Sequence, residues 1–198
     1  MVTSIPDVID YLADTQTGSL LASLRAQRQQ ARDNVQASYL ALFRPGTPGD
    51  VSLHERHAIA VFVAGLHRQP VIEAFYAEGL ATTEGCEWTE NCLRAEVERG
   101  SAQGPYGCYP AGVLSAEDRA GPVFRVADEH QAVLGRRLSA ALEHTHGLVF
   151  HPRDATPANL QALLDAGWIT TEIITLSQLV AFLAFQIRVV VGLRALAA

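Results

Sequence analysis

Apolar positions recur at three- and four-residue steps along almost the whole chain, and runs that alternate apolar with polar residues hardly occur. That pattern predicts an all-α protein. Ser4 with Asp7 forms a capping pair that opens a short first helix, closing near Gly18. A long amphipathic helix is predicted from Ser19 to Phe43. Its apolar stripe is Leu20, Leu21, Leu24, Ala31, Val35, Tyr39 and Leu42, opposite the polar run Arg25, Arg28, Gln29, Arg32 and Asp33.

The prolines and glycines of RPGTPGD, residues 44–50, require a loop. Ser52 and Glu55 then make a capping box for a third helix, apolar on most of its circumference through Ala58, Ile59, Val61, Phe62, Val63 and Leu66. Such a helix belongs in the middle of a bundle. It is expected to end near His67, because Pro70 suits the first turn of a fourth helix that starts at Gln69 or Pro70. A polar helix from Trp88 to Arg99 and a second loop, SAQGPYGCYPAG, come next. Ser115 with Asp118 starts a short turn, and residues 135–152 carry helical spacing up to Pro152. Thr156 is the expected cap of a helix that begins at Pro157 and stops at Gly167.

The last helix, capped by Thr170 or Thr171, is apolar almost all round, which predicts burial in a subunit interface. Thr175, Ser177, Gln178, Gln186, Arg188 and Arg194 interrupt it within the ~20 apolar residues that a span requires, so no membrane segment is expected.

At 198 residues the chain is long enough for one domain. We divide it into a helical bundle and an N-terminal helical extension of about 50 residues. Apolar residues make up 48% and charged residues 18%, so a substantial core forms and disorder is excluded. The 15 basic residues are all Arg, against 21 acidic ones; a net charge of −6 argues against nucleic-acid binding, and the lack of Lys removes Schiff-base chemistry. Cys86, Cys92 and Cys108 match neither CxxC nor a zinc-finger spacing, and all three are expected to tolerate replacement by Ser. The acidic start MVTSIPDVIDYLADTQ is unlike a signal or transit peptide, so a cytoplasmic location is expected.

Two groups of histidines carry the candidate chemistry: His54, His57 and His67, and His144, His146 and His151, with His130 apart. His144 and His146 point about 200° apart on a helix, so no metal site is expected, and the second group reads as a solvated helix end. His57, beside an apolar run, and His67, at the helix break, either line one cavity or serve as a core imidazole and a C-terminal cation. No GxSxG elbow or GxGxxG turn occurs. Tyr106 and Tyr109 form either an aromatic lid or an anchor for their loop.

VSLHERHAIAVFVAGLHRQPVIEAFY resembles the core helix pair of the carboxymuconolactone decarboxylase and alkylhydroperoxidase-D superfamily, and residues 151–193 resemble its C-terminal part. These stretches cover about 70 residues. With VIDYLAD, GPYGCYPAG and LVFHPRDATP, the chain looks closest to CMD-domain proteins that accompany alkylhydroperoxidase-domain partners. The resemblance implies an alkylhydroperoxidase-D-like bundle assembled as a homo-oligomer, a trimer or hexamer; no cofactor is expected.

In the peroxidase members a Glu, a CxxC pair and a His form a proton relay. The positions matching that motif here are His57, Gln69, Ile72 and Tyr76, so no dithiol forms. What remains is an antioxidant role or acid–base chemistry on a small-molecule substrate. His57 and His67 are candidate bases and Tyr76 a proton donor, while Arg68, Gln69, Tyr106 and Tyr109 are candidate binding residues. The other reading is a non-catalytic subunit that binds an alkylhydroperoxidase-domain partner.

Overall fold

The computed structural model describes residues 5–47 and 49–197, and its regular structure is helical. Among the described residues nine α-helices follow one another: α1 (Val8–Ala13), α2 (Leu20–Ala26), α3 (Gln29–Phe43), α4 (Leu53–Leu66), α5 (Pro70–Leu80), α6 (Cys86–Gly100), α7 (Asp128–Phe150), α8 (Pro157–Asp165) and α9 (Thr170–Ala197). A 3-10 turn, Val113–Glu117, interrupts the connection between α6 and α7. Among the described residues the β-type pairing is a single bridge, Gly107 with Arg119.

The centre is α4. Its capping box forms as the sequence predicts: the Glu55 N–H donates to Ser52 Oγ (3.1 Å) and the Ser52 N–H to Glu55 Oε2 (2.8 Å). Every residue from Ala58 to Leu66 is buried, because α5, α6, α7 and α9 all pack against this helix. A turn through Arg68, at φ 55°, reverses the chain, and Pro70 occupies the first turn of α5. Close approach of α6 depends on Gly65, where a methyl group would lie 2.6 Å from Val97 Cγ2.

The helix expected from Ser19 to Phe43 is broken in two at Gln27–Arg28, with Arg28 at φ −122° and ψ 46°. Two causes are visible. The apolar stripe skips from Leu24 to Ala31, leaving no buried residue to hold the middle turns. On either side of the break, Arg25 and Arg32 turn onto Asp7 (2.7 and 3.1 Å) and Asp10 (2.5 and 2.6 Å). Asp7 caps α1, accepting from the Asp10 N–H at 2.9 Å; Ser4 lies outside the described residues, as does Pro48 of the 44–50 loop. Burial pushes the Asp7 carboxyl up, but the Asp10 N–H and the two guanidiniums outweigh it and hold it below the usual range. The first three helices bury Val8, Ile9 and Phe43 in the same core as α4 and α9.

Gly135, at φ 75° and ψ 160°, kinks α7. Thr156, Pro157 and Gly167 bound α8 as expected, with Thr156 Oγ1 accepting from the Asn159 N–H. The start of α9 differs from expectation: Glu172, not a threonine hydroxyl, accepts from the Ile169 N–H at 2.7 Å. Arg137 locks this corner, binding Glu55 (2.7 Å) and Glu172 (2.8 Å) with its guanidinium 4.0 Å from the Trp168 ring centroid.

One side of α9 buries Leu176, Leu179, Leu183, Ile187 and Val190, while Ile174, Phe185, Val191 and Leu196 are exposed. The polar residues that interrupt it do not take it out of the range of a membrane span. Its length and a mean hydropathy of 1.9 suffice for one, and 33% of that apolar stretch is buried inside the protein.

Candidate functional site

His57 projects from the second turn of α4 into a ring of aromatic side chains, with centroids 5.2 Å from Phe43 and 6.3 Å from Tyr76. Space for the imidazole exists because position 79 of α5 is glycine: a methyl group there would lie 2.1 Å from His57 Cε1. The imidazole Nδ1 is buried with no partner; in the tautomer that carries the proton on Nε2, the Nδ1 lone pair is free. Burial, reinforced by the positive charge of Arg44, lowers the imidazole to about 4, so it is neutral at physiological pH.

Tyr76 is fully buried and its hydroxyl donates to Gln186 Oε1 at 2.6 Å. Burial pushes the phenol well above its usual range. Gln186 is itself fully buried, and its Nε2 has no partner. An unpartnered base on α4 and an unpartnered amide donor on α9 thus accompany one tyrosine on α5. Sequence reasoning missed Gln186 as a site residue. The available signal was its register: Leu179, Leu183, Gln186 and Val190 are buried at steps of four, three and four along an apolar helix, so the glutamine shares the buried stripe.

Phe75 lies between Tyr76 and a groove on the surface. Its ring meets Tyr76 edge-on at 5.0 Å, and it also lines a groove of about 530 Å³ with Tyr11, Val71 and Arg194.

The structure brings His57 and Tyr76 together but leaves His67 apart. The His67 Nδ1–H donates to the Val63 carbonyl at 2.9 Å, and its ring faces a different cleft, about 590 Å³, with Phe150 and Arg188. A straight α4 separates the two histidines by ~15 Å, so they do not share one cavity. Arg68 is exposed, while Gln69 places its amide on the His67 carbonyl at 3.4 Å. Tyr106 is buried, with its hydroxyl accepting from the Gln103 N–H and its ring 5.2 Å from His151. Tyr109 is half-buried under the Arg153 guanidinium, 4.2 Å from its ring. Both tyrosines anchor their loop.

The later histidines are not a solvated helix end. His146 is buried, stacked on Phe124 at 4.7 Å and bonded through Nε2 to the Gly100 carbonyl, while His151 binds Asp154 (2.9 Å) and the Pro122 carbonyl (3.0 Å). Loop 119–127 folds back over α7 and covers them, a contact that helical spacing alone does not reveal. Among the described residues no three His, Cys, Asp or Glu side chains cluster as a metal-holding group. The cysteines are free, but Cys92 is buried in the core, so it does not share the tolerance to Ser expected of all three.

No family model, curated protein or solved structure matches this chain.

Proposed function

We propose that the chain is an alkylhydroperoxidase-D-like protein that performs thiol-free acid–base chemistry on a small carbonyl compound at His57, Tyr76 and Gln186. One observation carries the reading: a neutral imidazole with a buried, unpartnered Nδ1 and an amide with a buried, unpartnered Nε2 flank the same tyrosine. Paired base and oxyanion donor are what enolisation needs. His57 Nδ1 takes a proton from the carbon next to a carbonyl, the Gln186 amide, oriented by the Tyr76 hydroxyl, stabilises the enolate oxygen through its free Nε2–H, and the proton returns at another carbon. Phe75 is the side chain that moves to admit the substrate from the neighbouring groove.

The test is turnover of a panel of unsaturated lactones and β-keto acids, run beside a thiol-dependent hydroperoxide assay. The expected result is lactone or keto-acid turnover that survives combined Cys86→Ser, Cys92→Ala and Cys108→Ser replacement and is lost in His57→Gln and Tyr76→Phe. Hydroperoxide consumption abolished by the cysteine replacements would sink the reading.

A second reading rests on α9. Its exposed Ile174, Phe185 and Val191 favour a subunit that packs against another copy or an alkylhydroperoxidase-domain partner. Light scattering of the purified protein, alone and mixed with such a partner, tests it; a monomer in both samples would exclude it.

A further inference from the structure

A second concave site runs along α9, beside the C-terminal ends of α4 and α7 and the turn at Gly104 and Pro105. It encloses about 590 Å³, a volume in the range of small-molecule sites, and none of its lining belongs to the His57–Tyr76–Gln186 group. Ser177, Ala181, Ala184 and Arg188 follow one another at steps of four, three and four. They therefore share one side of the helix and make a floor roughly 16 Å long. Leu148 and Val149 of α7 supply an apolar wall. Ala181 is exposed and Leu148, Val149 and Ala184 are half-buried, so this apolar surface is open to a ligand rather than sealed in the core.

The charge sits at one end of the floor. Arg188 is exposed, and its Nη1 donates to the Ala184 carbonyl of its own helix at 3.1 Å, which leaves Nε and Nη2 free. Among the described residues it has no carboxylate partner, and no Asp or Glu lines the cleft. The groove beside Phe75 differs in this respect, since it holds Asp14 and Glu78. Burial lowers the His67 imidazole and the nearby Arg188 charge lowers it further, so it is neutral at physiological pH. Its Nδ1–H is engaged by the Val63 carbonyl at 2.9 Å, and Nε2 makes no hydrogen bond to the described residues. An unpaired guanidinium at the end of an apolar trough, with no competing carboxylate, is complementary to an anion carried on an aliphatic chain.

We propose that this cleft binds a medium-chain aliphatic carboxylate, with its carboxylate on Arg188 Nε and Nη2 beside His67 and its chain extended along α9 toward Ser177. The bound anion offsets the Arg188 charge and favours a proton on His67 Nε2, which then donates to the carboxylate. His67 and Arg188 are the titratable groups of the lining; the parts from α7 and from residues 104–105 contribute none. Binding therefore takes up a proton and strengthens as the pH falls from about 8 to about 6, where an aliphatic carboxylate is still ionised.

Titration calorimetry of the whole protein with butyrate, hexanoate, octanoate and octanamide tests the assignment. Octanoate is expected to bind with a Kd on the order of 0.1–1 mM, as its size allows. From butyrate to octanoate each methylene should strengthen binding about threefold to fourfold. Octanamide, which has the chain without the charge, should bind about tenfold more weakly than octanoate. Arg188→Gln, an exposed change, should bring octanoate down to the level of octanamide and leave octanamide itself unaffected. His67→Gln should remove the gain in affinity at lower pH, and Ala181→Phe, also at an exposed position, should fill the cleft and block both ligands. No octanoate binding, octanamide as tight as octanoate, affinity independent of chain length or of pH, or an Arg188→Gln variant with wild-type affinity would each overturn the proposal. So would octanoate binding that fades as the protein concentration rises while light scattering shows a dimer, which would give the cleft to a second copy of the chain.

Discussion

Gly79 and His57 occupy one space: the hydrogen of the glycine gives room that a methyl group, 2.1 Å from Cε1, would take from the imidazole. Gly79→Ala therefore sets helix propensity, worth ~1 kcal/mol in favour of Ala, against overpacking, which costs about 1–3 kcal/mol. The expected outcome is a net loss in the urea midpoint together with loss of turnover, because the ring must leave its position. A stabilised variant with full activity would show that His57 is not held there.

Tyr76→Phe removes the hydroxyl that occupies Gln186 and leaves a buried amide with neither end satisfied. The expected cost is about 1–3 kcal/mol. Adding Gln186→Met should recover much of that stability but no activity, since the apolar pair has nothing left to satisfy. Denaturation of the single and double variants, with turnover measured on the same samples, separates the structural and chemical roles.

Acid destabilises the protein through its buried imidazoles. His57 is lowered from 6.5 to about 4, so the unfolded chain binds the proton first. Stability is complete above about pH 6.5 and falls as the pH drops toward 4, by up to about 3 kcal/mol from this group. His54, His67, His144 and His146, all lowered mainly by burial, act in the same direction. A series of Tm values between pH 4 and 7 should slope upward, and His57→Gln should reduce the slope. Equal slopes in the two proteins would contradict the burial of His57.

Arg137→Met leaves Glu172 and Glu55 without their cation at the corner of α4, α7 and α9. Loss of one partner from such a buried pair costs about 3 kcal/mol. Arg137→Lys should rescue little, because an ammonium cannot bind two carboxylates and the Gly167 carbonyl while lying flat on Trp168. The urea midpoints of the two variants check this.

Cys92 separates from its fellow cysteines. Cys92→Ser places a hydroxyl in the core and should cost about 1–3 kcal/mol, whereas Cys108→Ser, at an exposed loop position, should be neutral. Thermal denaturation of the two single variants is sufficient to distinguish them.

Local chemistry was the legible part of this sequence. The Ser52–Glu55 box, Pro70 at the start of α5 and the Thr156–Gly167 limits of α8 are written within a few residues, and each element forms where its signals fall. What the sequence concealed depends on distant partners. Gln186 meets Tyr76 across 110 positions, and the break at Arg28 is stabilised by carboxylates 18 and 22 residues away from the arginines they bind. His146 was misread for the same reason: helical spacing shows the face it lies on, but not the loop that stacks Phe124 on it. Within the candidate site, His57 and Tyr76 were legible from the helix pair they belong to, whereas separating His67 from them needed the direction of each side chain.

The Arg194 guanidinium donates to the Leu12 carbonyl across 182 positions, and α9 packs on both α1 and α4. During synthesis, the first helix and the apolar sides of α4 wait for a partner encoded at the far end of the chain. From Leu80 to Thr170 that delay is on the order of ten seconds at ~5–20 residues per second. Throughout it α4 lacks the helix that covers one of its sides, so a pause in synthesis before α9 prolongs the exposure of apolar surface that the finished fold buries.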